Sequence, residues 1–323
     1  MILRPLRLLL SVSLAALVAA SGPGVQGPRV EQPRAWSLET AERVSARSRR
    51  TLDDLAWWGG MYTAATGERV TVHVSATYPH DEAVAQRWAD YLASLVHGQE
   101  LGLLTATLAT PGEVQDVCGD GALGCYADDK LVAVGEASDG IDPTAVVAHE
   151  YGHHVASHRS NAPWNATEWG TKRWASYAQV CSRAAAGTVF PGDEGAHYPL
   201  NAGEAFAETY RVLNQASGSF DWPLVDPSFR PDEAALAAVR DDVLNPWTGP
   251  STRTVRLRFA GRSRTLTTTV STPLDGDLHV VLRSPLAAAY SLTVDAAARR
   301  TPPERSWAAA RRSSTSGSAD SGR

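Results

Sequence analysis

Along the first two thirds of the chain the hydrophobic pattern switches between strand-like and helix-like periods. "RVTVHVSA", residues 69–76, alternates apolar and polar positions and predicts a half-buried strand. "DEAVAQRWADYLASLVHG" predicts a helix with Asp81 or His80 at its N-cap and Gly98 as its stop. "LLTATLA" predicts a second strand, "PGEVQDVCG" a turn, and "GCYADDKLVAVG" a hairpin folded across Asp128 and Asp129. A well-marked helix follows over Pro143 to His158. Asp142 is its N-cap, Pro143 suits the first helical position, and Ile141 can staple onto Val146.

Before this block, Leu38, Ala41, Val44, Leu52, Leu55 and Ala56 recur at helical spacing, predicting a helix between Ser37 and Trp58. After it, the latter half of "NAPWNATEWGTKRWASYAQVCSRAAAG" reads as helical as far as Gly187, and "AGEAFAETYRVLNQA" is another clear helix. The pattern changes at Ser251. "TRTVRLRF", "SRTLTTTVS", "DLHVVLRS" and "AYSLTVDA" predict four short strands, as in a small β-sandwich. The fold class expected is therefore α+β with a small all-β C-terminal domain.

The ends of the chain read differently. "MILRPLRLLLSVSLAALVAASG" has the form of a secretory leader. Arg4 and Arg7 supply its positive start, Leu8 to Leu17 its apolar stretch, and Ala19, Ala20 and Ser21 a small-residue cleavage site. The apolar run is short for a bilayer span, and no later segment is apolar enough for one. The organisation expected is a leader over 1–21, an N-terminal segment and candidate propeptide helix over 22–60, a main domain over 61–250, a β-domain over 251–298 and a disordered polar tail over 299–323. The product is expected to be secreted and monomeric. Among 323 residues with a net charge of −5 there is no basic block, which argues against a nucleic-acid partner. Three cysteines suit an oxidising compartment. Cys118 and Cys125 flank a glycine-rich turn suited to a local disulfide, with Cys181 left over or competing.

Candidate chemistry sits on the Pro143–His158 helix. His149 and His153, four apart, lie one turn above each other and can bind one metal ion through two imidazole nitrogens. Glu150 projects beside that face, within reach of a water on the metal. This is the HExxH pattern of zinc metallopeptidases. A catalytic zinc needs a third protein ligand and an open position. The extended HExxHxxGxxH form fails, because Ala156 replaces the glycine and Arg159 the last histidine. His154 and His158 point away from the His149 and His153 face and are expected at the surface or against a loop. Glu204 and Glu208 are better candidates. They share one face of the later helix among Ala205, Phe206 and Ala207, so that one can bind the metal and the other can orient a ligand imidazole.

HEYGHH followed by NAGEAFAETYR resembles the gluzincin peptidases. The second motif is most similar to the lethal-factor-type toxin protease and related secreted bacterial proteins. The resemblance covers Val70 to Ala216 and is carried by the two helices. It implies a zincin-like fold, a zinc ion held by His149, His153 and Glu204, Glu150 as general base, and Glu208 hydrogen-bonded to His149. It further implies an oxyanion-stabilising tyrosine or histidine ahead of the glutamate helix, for which His197 and Tyr198 both stand in place. The activity so implied is hydrolysis of a peptide or protein substrate. Two other readings share these residues: a secreted binding protein retaining a zinc site, and a zinc amidase acting on a non-protein substrate.

Overall fold

The computed structural model describes residues 7–13, 51–137, 140, 142–215, 225–259, 261, 263–283 and 290–296. The chain divides into two units, one of Met1–Val18, Leu257–Thr272 and Ser284–Arg323, the other of Ala19–Arg256 and Pro273–Arg283. In the smaller unit, strand β1 (Arg7–Ser13) lies between β7 (Thr265–Ser271) and β8 (Ser291–Ala296), antiparallel to both. Two of the four strands expected after Ser251 therefore form. Residues 252–259 and 277–283 are irregular, so the other two expected strands are not formed among the described residues. The central strand of this sheet comes from the segment expected to be a leader. The expected tail, and the predicted helix up to residue 50, lie outside the described residues.

The larger unit is built on a five-stranded mixed sheet. Its strands are β2 (Trp57–Thr63), β3 (Arg69–Ser75), β4 (Thr105–Ala109), β5 (Gly124–Ala127) and β6 (Lys130–Val134), in the order β2-β3-β4-β6-β5. β3, β4 and β6 run parallel, and β2 and β5 close the two edges antiparallel. Central strands covered on both faces need apolar residues throughout. β6 meets this with Leu131, Val132, Ala133 and Val134 all buried. The "KLVAV" segment is thus internal, and on its side of the sheet the edge strand is β5.

The predicted helical run ending at Trp58 is corrected as well. Leu52–Asp54 forms one 3-10 turn, and Trp57 and Trp58 already belong to β2, where they pair with Ser75 and Val74 of β3. Helix α1 (Glu82–Ser94) starts at the Asp81 cap and buries Ala85, Ala89 and Leu92 against the sheet. The "PGEVQDVC" stretch is helix α2 (Pro111–Cys118) instead of a turn. Thr110 and Glu113 form a reciprocal capping box with Pro111 at the first position, a start signal present in the sequence. Its end is tied to β5 by the Cys118–Cys125 disulfide, and Cys181 remains a free thiol.

Helix α3 (Pro143–Ser157) begins where expected, with Asp142 Oδ1 accepting from the Thr144 amide at 2.8 Å. It packs on β5 and β6. The Trp-rich stretch breaks into α4 (Ala166–Trp169), α5 (Lys172–Tyr177) and α6 (Val180–Ala185), with Gly170 at φ 74° and Gln179 at φ 57° between them. Trp174 is buried against Phe206 and Phe229, and Trp164 stacks on Trp169. Helix α7 (Ala202–Asn214) lies across α3, and α8 (Glu233–Leu244) packs on α5 and α7. No helix among the described residues is long and apolar enough to cross a membrane.

The contact between α3 and α7 depends on Gly152. A Cβ there would meet Ala207 at 2.8 Å from its Cα and 3.1 Å from its carbonyl oxygen. Backbone cannot move aside as a side chain can, so Gly152→Ala should destabilise the chain by about 1–3 kcal/mol, as overpacking does. A denaturant titration reads this directly. An unchanged midpoint would mean that the two helices part freely.

Candidate metal centre

Two helix starts fix the centre. The Asp142 cap sets the rotation of α3, and Asn201 sets that of α7. Asn201 is buried, and its Oδ1 accepts from the amides of Gly203 at 2.9 Å and Gly192 at 3.0 Å, while its Nδ2 donates to Glu194 at 2.9 Å. One residue thereby caps the helix and anchors the loop that precedes it. With Gly152 holding the helices close, the face of α3 bearing His149 and His153 meets the face of α7 bearing Glu204 and Glu208.

His149 Nε2 lies 3.1 Å from Glu204 Oε2, His153 Nε2 lies 3.3 Å from Glu204 Oε1, and the two Nε2 atoms are 3.3 Å apart. A tetrahedral zinc with bonds to nitrogen of about 2.0–2.1 Å spaces its ligand atoms by roughly 3.3–3.4 Å. The three donor atoms therefore fit one metal ion, and His149, His153 and Glu204 are a group that could hold one. The tautomer fits too. His149 Nδ1 faces Glu208 Oε2 at 3.4 Å, so an ion at the centre would displace the Nε2 proton while the Nδ1 proton stays on its carboxylate partner.

Electrostatics point the same way. Burial alone would lower the His149 pKa, but the hydrogen bonds it donates to Glu204 and Glu208 outweigh it and raise it to about 10. Burial would raise Glu204, yet His153 and His149 hold its carboxyl well below the usual carboxylate range. Three carboxylates surround two imidazoles in a buried group, an environment in which a cation could take the place of the imidazole protons. Glu150 is buried beside them, and burial pushes its carboxyl up despite both histidines. It abuts β5: a Cβ on Gly124 would come within 2.9 Å of Glu150 Oε1, so only glycine leaves room for this carboxylate.

Glu208 is fully buried and is gripped by Arg211, whose Nε donates to Oε2 at 2.8 Å and whose Nη2 donates to Oε1. Burial works to raise Glu208, but Arg211 and His149 prevail and keep it below its ordinary value. Arg211 closes the motif NAGEAFAETYR. Its position three residues after Glu208 on a helix was the signal available.

Of the two oxyanion candidates, only Tyr198 reaches the centre. Its hydroxyl donates to Glu204 Oε2 at 2.6 Å, and burial followed by Glu204 pushes its phenol pKa far up, so it stays protonated. His197 is exposed. It stacks on Phe190 and pairs through Nδ1 with Asp193 Oδ2 at 2.9 Å. His154 and His158 indeed point away from the centre. His154 is fully buried and meets Asp129 at the β5–β6 turn, the loop contact expected as the alternative to a surface position. No family of known proteins, no curated protein and no solved structure matches this chain.

Proposed function

We propose that this chain is an exported zinc peptidase of gluzincin type, with His149, His153 and Glu204 as zinc ligands and Glu150 as general base. The observation that carries this reading is the meeting of three donor atoms at 3.1–3.3 Å with a buried carboxylate beside them that makes none of those contacts. A purely structural metal site needs ligands but gains nothing from such a carboxylate. Bound zinc would supply a Lewis acid that polarises a carbonyl and lowers the pKa of water.

This chain's residues do the rest. Glu150, poised by burial, accepts a proton from the attacking water and returns it to the leaving amine. Glu208 fixes the His149 tautomer. Tyr198, protonated across the physiological range, takes the oxyanion role and donates to the charge that develops on the substrate carbonyl oxygen. Gly124–Ala127 is an edge strand beside Glu150, and its free backbone groups suit an extended peptide. That favours a peptide over a small amide. The leader-like N-terminus and the Cys118–Cys125 disulfide support export.

The test is zinc content measured together with cleavage of an unfolded protein. The wild type should retain zinc at this centre and cleave. His149→Ala, His153→Ala and Glu204→Ala should each lose that zinc and the activity. Full zinc retention in Glu204→Ala would remove this residue from the coordination shell, and zinc without cleavage in the wild type would favour a binding protein.

A further inference from the structure

The same helix carries a second pair of histidines, His154 and His158, four residues apart and turned toward the β5–β6 hairpin. There they meet Asp129, which sits in the left-handed region at φ 62° at the hairpin turn. His158 Nε2 lies 2.6 Å and His154 Nδ1 3.4 Å from Asp129 Oδ1, and the three groups form a compact donor set. We propose that Asp129, His154 and His158 form a second, structural site for a divalent transition metal, clamping the hairpin turn to the end of α3. It does not depend on the peptidase reading.

Few protons stand among these ligand atoms. His154 Nε2 lies 2.8 Å from the Glu100 carbonyl oxygen, which can only accept, so the proton of the neutral ring is on Nε2 and Nδ1 presents a lone pair. Asp129 Oδ1 is an acceptor as well. Between them stands the Tyr126 hydroxyl, with one proton and three acceptors in range: Ser157 Oγ at 2.7 Å, Asp129 Oδ1 at 3.1 Å and His154 Nδ1 at 3.1 Å. Ser157 spends its own proton on the His154 carbonyl at 2.8 Å, and the Asp129 amide points at Tyr126 Oη, adding no proton to the acceptors. Even with a proton on His158 Nε2, which lies 2.6 Å from Asp129 Oδ1, the pocket holds more lone pairs than protons.

A metal ion bound by His154 Nδ1, His158 Nε2 and Asp129 Oδ1 resolves this imbalance. Only one proton must move, from His158 Nε2 to its own Nδ1. Tyr126 can then give its proton to Ser157. The Glu100 carbonyl plays the part that outer hydrogen-bond acceptors play for metal-ligating histidines, fixing ring tautomer and orientation. Two imidazoles and one carboxylate suit zinc, cobalt or copper, and they disfavour magnesium and calcium, which take oxygen ligands. Asp129 and His158 are only half-buried, so their side chains can part from the present 2.6 Å contact to admit an ion, and water can complete its shell.

The test uses the full chain without an added histidine tag, stripped of metal and titrated with zinc against a weak chelator that competes away surface binding. The wild type should take up two equivalents. Asp129→Asn and His158→Gln should each take up one. Asparagine tolerates the left-handed conformation, so Asp129→Asn keeps the turn. The double variant His149→Ala, His153→Ala should also take up one equivalent, and cobalt bound to it should give the visible absorption of a nitrogen- and oxygen-ligated ion. One equivalent in the wild type that Asp129→Asn leaves unchanged, two in Asp129→Asn, or none in the double variant with its fold intact by circular dichroism would overturn the proposal, whatever is found for hydrolysis.

Discussion

Glu150→Gln is expected to keep its zinc and its fold while peptide hydrolysis falls by roughly 10²–10⁴-fold, the usual loss for removing a general base. The substitution is nearly isosteric, so the tight contact with Gly124 is preserved. It also removes a carboxyl that burial already pushes toward the neutral form. Metal-free Glu150→Gln should therefore unfold at no lower denaturant concentration than metal-free wild type. Loss of activity without loss of stability is the signature of a residue kept for chemistry. The measurement is turnover on an unfolded protein, with zinc content and unfolding midpoint taken on the same samples. Turnover equal to wild type would remove Glu150 from the mechanism. A large fall in zinc content would make it a ligand and leave the base unassigned.

Much of this centre was legible in the sequence because its parts are local. Histidines four apart on a capped helix must share a face, and Glu204 and Glu208 obey the same rule on α7. What joins the two helices was not legible, since Gly152 against Ala207 is a contact between distant segments and a lone helical glycine carries no label of its partner. The 3-10 turn and early start of β2 were missed for a related reason: Leu52, Leu55 and Ala56 fit a helical period, and pairing with β3 overrode it. The α2 helix was hidden by Pro111 and Gly112, which read as turn residues, although the Thr110 to Glu113 capping box was in plain view. After Ser251, alternation alone predicted four strands. Strands also need partners to hydrogen-bond, and two of the four have none among the described residues.

The grip of Arg211 on Glu208 should prove the strongest single stabilising contact around the centre. Glu208 is fully buried, and two guanidinium donors neutralise it from one helical turn away. Removing one partner of a buried ion pair leaves an uncompensated charge, at a cost of about 3–5 kcal/mol. Arg211→Ala should lose that much in denaturant unfolding of the metal-free chain. The damage should also reach the metal. A Glu208 carboxyl released from Arg211 climbs toward protonation, and a protonated carboxyl no longer compels His149 to keep its own proton on Nδ1. Zinc affinity should then fall by roughly ten- to a hundredfold, as it does when an outer hydrogen-bond partner is lost. The two effects can be separated. In Arg211→Ala combined with Glu208→Gln the stranded charge is gone, so stability should recover in large part, while zinc affinity should stay low because an amide orients the imidazole more weakly than a carboxylate. If Arg211→Ala unfolds within about 0.5 kcal/mol of wild type, the range of ordinary surface changes, the ion pair is not what holds Glu208 in place. If the double variant regains zinc affinity along with stability, Glu208 supports the fold alone, and the His149 tautomer is set by another group.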